Sequence, residues 1–372
     1  VRILVATLLP YPSPTAHLVH ITALAQGFVT AGHDVHLVAA QPGPGWPGDG
    51  PEDALGFAPG YRVTVLAGRD HRGQSAVNLV RTARLLRRGP YDVCISDHVR
   101  TAALTAARGL PTVFEAHSLH FADSPLDRAA LRRFLAAGTP RAVVAISDGL
   151  RRDLIATFGD AVEPVTVLPE AAPLDEVPPA APLPGARPGA VQVGYTGALY
   201  RGRGVEVMTA VAAALPDVDV HVVGGPPAEA DRLRTDPARP ANLHVHGPTS
   251  PARARAVQRT MDVLLAPYQR SVATSSGHDT SRWMSPMKLF EYLASRRAIV
   301  CSDLPVLREV LEDGVTARLV PPDDAGAWVA AVRELAEDPA RRRGLGERGR
   351  AQAVAHHGWE QRTARMLATL GR

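Results

Sequence analysis

The sequence predicts an α/β protein made of two doubly wound domains facing a central cleft. Three observations carry this expectation. Short apolar runs of strand type alternate with amphipathic helical patterns along the whole chain. The alternation stops at a proline-rich stretch, residues 173–190, and then begins again. The 372 residues are enough for two hydrophobic cores. Strand–helix–strand units of this length imply parallel pairing with right-handed crossovers. Ligands of such sheets bind outside the carboxyl ends of the strands.

Each element has its own signal. Residues 1–6 form an apolar strand, followed by a loop with Pro10, Pro12 and Pro14. Leu18, Ile21, Leu24, Ala25 and Phe28 recur on one face of a helix over 17–31, and Ala31-Gly32-His33 stops it. A strand at 35–39 completes the first unit, and residues 40–60, including Trp46, read as a Gly- and Pro-rich loop. Strands at 62–66, 92–96, 112–115, 142–146 and 165–168 then alternate with helices at 76–88, 101–108, 125–137 and 148–158. Ser147-Asp148 caps the last of these helices. The resulting domains are 1–172, a linker over 173–190, 191–352, and a final helix over 353–372 that returns to the first domain. In the second half, strands are expected at 191–195, 218–223, 243–245, 263–266, 298–302 and 317–319. Helices are expected at 204–214, 228–234, 251–260, around Lys288, at 306–312 and from Ala325 onward.

Composition narrows the function classes. Apolar content is 45%, net charge is +4 and aromatics are 5%. Arginines and acids are interspersed and there is no aromatic stacking platform, which argues against a nucleic-acid partner. No apolar run reaches the length of a membrane span, and no charged-then-apolar leader opens the printed sequence. Cys94 and Cys301 lie in strand-like contexts, as buried thiols do in a reducing compartment. The expectation is a cytoplasmic protein. Peripheral membrane contact is the option offered by two arginine-lined helices, one with Arg81, Arg84, Arg87 and Arg88, the other with Arg128, Arg132 and Arg133. The solvated outer face of a sheet-covering helix explains those arginines as well. Asp217 and Asp219 stand at metal spacing but open an alternating strand, and read as strand-edge solvation. His356-His357 has no partner at ligand spacing, so no metal is expected.

Two stretches carry chemistry. Lys288 is the only lysine, in Ser285-Pro286-Met287-Lys288-Leu289-Phe290-Glu291. Ser285-Pro286 reads as an N-cap with proline at the first helical position, and Lys288 and Glu291 fall one turn apart on one face. A helix N-terminus beside a lysine is a ready anion site. The second stretch, Gly194 to Gly204, joins a strand to a helix and carries Arg203, a fork for two oxygens. Gly224-Gly225-Pro226-Pro227 is explained by turn chemistry alone. His117 ends the strand Val113-Phe114-Glu115-Ala116, where a polar side chain points into the crevice, with Glu115 beside it as a further candidate.

Together these segments resemble the GT-B-fold retaining glycosyltransferases of family 4, the glycogen-synthase-like group, with two Rossmann-like domains. The resemblance spans nearly the whole chain. It rests on the loop Pro10 to Ala16 with His20, on Phe114 to His117, on Ala145 to Asp148 and Val167 to Glu170, on Tyr195 to Gly204, and on Ser285 to Ala294 with Ile299 to Pro305. It implies a retaining transfer of a sugar from a nucleotide-sugar donor, UDP ahead of GDP, to a small-molecule or lipid-linked acceptor. It implies neither metal nor cofactor. Lys288 and Arg203 would bind the diphosphate, helped by Gly197 and by N–H groups around Met287, Lys288 and Leu289. Thr15 and Ala16 would serve where many members carry a double glycine. Glu291 would take the ribose, and His117 would contact the transferred sugar. Trp283 stands where the family often has a first glutamate, and Ala198 where an arginine is common. Two rivals share the motifs. A nucleotide-sugar 2-epimerase would act on donor alone, and a non-catalytic sugar-nucleotide-binding module would neither hydrolyse nor transfer.

Overall fold

The computed structural model describes all residues except 14, 42–58, 67–73, 87–88, 176–181, 275–276 and 372. Most of the expected 40–60 loop, Arg87, Arg88 and part of the 173–190 linker therefore lie outside the described residues. The chain forms two compact units, Val1–Glu170 with Trp359–Arg372, and Ala171–Gly358.

In the first unit, a parallel sheet runs in the order β3-β2-β1-β4-β5-β6-β7. Its strands are β1 (Arg2–Pro10), β2 (Asp34–Ala40), β3 (Arg62–Leu66), β4 (Val93–Ser96), β5 (Thr112–Ala116), β6 (Arg141–Ala145) and β7 (Val165–Val167). Val5 pairs with Leu37 on one side and Ile95 on the other, so β1 is central and buried on both faces. That is why it reads as a continuous apolar run. The order reverses between β1 and β4, the topological switch point where loops diverge and a ligand crevice opens.

Helices α1 (Ala16–Thr30), α2 (Gln74–Leu86), α3 (Val99–Ala106), α4 (Pro125–Leu135) and α5 (Asp148–Phe158) cover this sheet. Ser147 caps α5 as the sequence suggested, its side chain accepting from the Leu150 N–H at 3.2 Å. The last helix of the chain, Trp359–Ala368, packs on α1. The approach is close: a Cβ on Gly27 would lie 3.1 Å from both Thr363 Cγ2 and Trp359 Cβ.

The second unit has the sheet order β10-β9-β8-β11-β12-β13. The strands are β8 (Val191–Thr196), β9 (Val218–Val223), β10 (Leu243–Gly247), β11 (Val263–Ala266), β12 (Ala298–Ser302) and β13 (Arg318–Val320). Here the order reverses between β8 and β11. Helices α6 (Val205–Ala214), α7 (Pro227–Thr235), α8 (Pro251–Gln258), α9 (Met287–Ala294), α10 (Ala325–Glu337) and α11 (Pro339–His356) complete it. Val193, Val220, Val263 and Val300 pack with Met208 and Trp328 on one face, while Leu289, Phe290, Ile299 and Cys301 pack on the other.

Three expectations are corrected. Residues 306–312 form successive turns instead of a helix, with Leu307 N bonded to Leu304 O and Val310 N to Leu307 O. Their apolar spacing serves burial of Val306, Leu307 and Leu311. The N-cap of α9 is Pro286, without a side-chain cap of its own, so the helix begins one residue later than expected. Asp219 is not a solvated strand edge. It is fully buried and accepts from the Arg187 backbone N–H at 2.7 Å and guanidinium at 2.8 Å. This anchors the end of the linker to β9.

The same face of β9 holds a histidine relay. Gln192 Nε2 donates to Ala190 O, so Gln192 Oε1 accepts from His221 Nε2 at 2.7 Å. His221 Nδ1 is then left to accept from His246 Nε2 at 3.0 Å. His221 must be neutral to accept this bond, and burial, reinforced by neighbouring charged groups, pushes both histidines down to about 4. An unfolded histidine titrates near 6.5. Between those values the unfolded chain binds more protons, so this contribution is complete above about pH 6.5 and is lost as pH falls towards 4. The urea midpoint should fall more steeply from pH 7 to 5 in the wild-type chain than in a His221→Gln/His246→Gln variant. Equal slopes would contradict the relay.

Candidate active site

The loop after β8 and the mouth of α9 meet at the switch point of the second unit. Lys288 reaches back from the first turn of α9, placing Nζ 3.7 Å from the Tyr195 ring centroid and 5.3 Å from that of Tyr268. The backbone makes room for it. Gly197 has φ +139°, and a Cβ there would lie 2.6 Å from Nζ. Arg203, just before α6, lies over Tyr268 with Cζ 5.3 Å from the centroid, and its Nη2 reaches only the Ala273 carbonyl at 3.5 Å.

Lys288 is half-buried, yet Lys288 Nζ and Arg203 Nε are both covered and have no hydrogen-bond partner. Burial holds the lysine well below its ordinary pKa, and the Arg203 charge adds to that. Two converging cationic groups, faced by aromatic rings and short of acceptors, are the chemistry of an anion receptor.

Glu291 lies one turn beyond Lys288. Its Oε2 accepts from Gln258 Nε2 at 3.0 Å, and burial raises its pKa. Met287 opens α9. Leu289 is fully buried core, and its N–H donates to the Pro286 carbonyl at 2.9 Å, so that N–H is already engaged. Trp283 sits in the turn before the helix, its N–H bonded to Thr280 O. Lys288, Arg203, Gly197, Met287 and Glu291 thus come together within one unit.

The remaining candidates sit in the first unit. His117 follows β5, its ring 4.3 Å from that of His17 and 4.6 Å from that of His20. Its Nε2 lies 3.4 Å from Glu115 Oε2 without hydrogen-bond alignment, and burial, with His17 nearby, lowers its pKa. His17 Nε2 is 3.1 Å from Asp97 Oδ2, which also accepts from Thr7 Oγ1 at 2.9 Å. Side chains from the ends of β1, β4 and β5 therefore converge beside the β1–β4 switch point. Thr15 and Ala16 are exposed at the start of α1, and Thr15 makes no side-chain cap.

Behind His117 is a charge network that sequence reasoning missed. His20 Nδ1 donates to Glu170 Oε2 at 2.6 Å and Nε2 to Glu115 Oε2 at 2.9 Å. Burial alone would push His20 down, but the two carboxylates raise it to about 9. Arg362 of the last helix donates to Glu115 Oε1, to Leu168 O at 3.0 Å and to Pro169 O at 2.7 Å. His20, Glu115 and His117 have ligand atoms within 4.8 Å of one another, the spacing of a metal site. His20 is, however, already bonded through both ring nitrogens to carboxylates. Two anions and two cations balance, so the grouping is an ion-pair network. Tyr195, Tyr268 and Gln258 were missed as well; of these only Tyr195, preceding Gly197, had a sequence signal.

Removing one partner of a buried pair strands the other, typically at about 3–5 kcal/mol. Arg362→Met should therefore destabilise the chain on that scale in urea denaturation, with partial recovery when Glu115→Gln is added. A loss below about 1 kcal/mol would show that the network is not fastening the last helix.

Comparison with known proteins places this geometry. Residues 18–176 match the model of Glycosyltransferase Family 4, and residues 190–338 match that of Glycosyl transferases group 1. A phosphatidyl-myo-inositol mannosyltransferase of Mycolicibacterium smegmatis is 31% identical over 156 residues, covering 42% of this chain and 37% of that protein. One from Mycobacterium tuberculosis is 30% identical over 131 residues, covering 35% and 31%. The match thus spans about a third of the length of these curated relatives. Among solved structures, a sucrose-phosphate synthase of Thermosynechococcus elongatus superposes with TM-score 0.71 at 19% identity, over 99% of this chain and 98% of that one. HepE of Anabaena in complex with UDP-glucose gives 0.72 at 15% identity, over 100% and 99%. At these identities the likeness shows the fold, two Rossmann-like domains of GT-B type.

Proposed function

We propose that this chain, which belongs to the glycosyltransferases built from a Family 4 domain followed by a group 1 domain, moves a sugar from a nucleoside-diphosphate donor to an acceptor hydroxyl. The observation that carries this reading is the covered, acceptor-poor pair Lys288 and Arg203 at the β8–β11 switch point. A diphosphate supplies the acceptors they lack, and the N-terminus of α9 adds its dipole. The same groups stabilise charge as it builds on the departing diphosphate, so transfer is proposed to proceed without a divalent metal.

Donor binding is assigned to the second unit, with Glu291 taking the ribose. His117 of the first unit is assigned to the transferred sugar. Retention follows from attack on the face the leaving group vacates, the leaving phosphate taking the acceptor proton. UDP is the preferred base, with GDP second. The mannosyltransferase relatives are named for phosphatidyl-myo-inositol, which favours a lipid-type acceptor over a free metabolite. Exposed Arg132, Arg133 and Leu126 on α4 suit peripheral contact with an anionic surface. No helix among the described residues is long and apolar enough to cross a membrane.

Two kinds of experiment test this. Lys288→Ala should lower transfer by about two orders of magnitude or more, the scale of losing one preorganised charge-stabilising group. His117→Ala should impair turnover while free-nucleotide affinity is retained. Near-normal transfer by the lysine variant would sink the assignment. The second concerns protons. The buried Lys288 amine is shifted towards its neutral form, and a bound diphosphate favours the ammonium. Titrating UDP at pH 8 in buffers of different ionisation enthalpy should therefore show net proton uptake, and Lys288→Arg should abolish it. Binding without uptake would mean the lysine is already charged in the free protein.

A further inference from the structure

We propose that Gln258 is a positioning residue that aims the Glu291 carboxylate at the ribose hydroxyls of the donor; the inference rests on the sugar-nucleotide reading above. Gln258 is the last residue of α8 and is 1% exposed. Its single Nε2 donates to two acceptors, Thr196 Oγ1 at 2.9 Å and Glu291 Oε2 at 3.0 Å. Thr196 ends β8 immediately before Gly197, and its backbone N–H donates to the hydroxyl of Tyr292, the neighbour of Glu291, at 2.9 Å. One amide thus ties the root of the phosphate loop to the helix that carries Lys288 and Glu291.

The choice of oxygen matters. Gln258 occupies Glu291 Oε2, which fixes the carboxylate plane and leaves Oε1 as the oxygen to meet an incoming hydroxyl. A vicinal diol offers two O–H donors to such a carboxylate. A small cavity beside it is lined by Arg255, Gln258, Glu291 and Ser295. Arg255, one turn earlier on α8, adds positive charge near the carboxylate. Gln258 Oε1 is covered and has no hydrogen-bond partner, so the amide is held through its nitrogen alone. A side chain that only filled space here would be apolar, since a buried unmatched carbonyl costs stability.

The test separates aiming from mere support. The affinities of the full chain for UDP and for 2′,3′-dideoxy-UDP are measured by calorimetry. Hydrogen bonds from both ribose hydroxyls to a carboxylate should make wild type prefer UDP by about tenfold or more. Gln258→Leu should weaken UDP and shrink that preference to a few-fold or less, while the affinity for the dideoxy ligand holds. Glu291→Gln should shrink it by itself, and adding Gln258→Leu should then change nothing further. Gln258→Met, closest in length and shape, replaces the leucine variant if circular dichroism shows that it is unfolded. An unchanged preference in the Gln258 variant, or equal weakening of both ligands, overturns the positioning role alone. If the wild-type chain binds neither these ligands nor GDP, the sugar-nucleotide reading is overturned with it.

Discussion

Basic groups held away from water without an acceptor are the constraint around which the second unit is arranged. An ammonium under cover is costly unless something compensates it. Lys288 Nζ has only partial compensation, from the faces of Tyr195 and Tyr268. The surrounding backbone is specialised to permit this. Gly197 leaves out the Cβ that would collide with the ammonium, and Gly224, at φ +113°, packs so tightly that a Cβ would lie 2.5 Å from the Gly197 carbonyl. The amine is thereby shifted towards its neutral form in the free protein, and a polyanion favours the ammonium. Differential stabilisation of this kind is also what a departing diphosphate needs.

The first unit treats buried charge in the opposite way. His20, Glu115, Glu170 and Arg362 satisfy one another, two positive and two negative, and the backbone carbonyls of Leu168 and Pro169 take further N–H groups of Arg362. The four charges balance, and of the Arg362 nitrogens only Nη1 is left without a hydrogen-bond partner. The network reads as a rigid footing on which His117 is mounted, with Asp97 and His17 bracing its other side. A neutral, lowered His117 on that footing suits contact with uncharged sugar hydroxyls better than with phosphate. The two units thus differ in where buried charge is compensated and where it is not.

Much of the fold was legible because parallel strands buried on both faces and amphipathic helices write different periods into the chain. The β9 and β12 runs, and the Ser147 cap of α5, needed no long-range information. Residues 306–312 misled because apolar spacing records burial, and successive turns can bury Leu307 and Leu311 as well as a helix does. At the site, the lone lysine, the glycine turn and Glu291 were visible since their roles are local to one motif. Gln258, Tyr268, Glu170 and Arg362 were not. Arg362 meets Glu115 across 247 positions and His20 meets Glu170 across 150, and only sheet order brings such pairs together. Asp219 shows the same limit. Its strand spacing looked like solvation, while its actual partner, Arg187, comes from a linker with no periodicity at all.

The position of Trp283 sharpens what these interactions determine. Where related sequences often carry a carboxylate, this chain places an indole in the turn before α9, and its backbone N–H bonds to Thr280. In the proposed reading this position offers no carboxylate to the donor sugar, so recognition rests more on the nucleotide. Selectivity for the nucleotide then depends on how firmly Glu291 is aimed. In this chain that aim is set by an amide from a different helix, Gln258, so the nucleotide end of the site is built as one connected unit from β8 through α8 to α9.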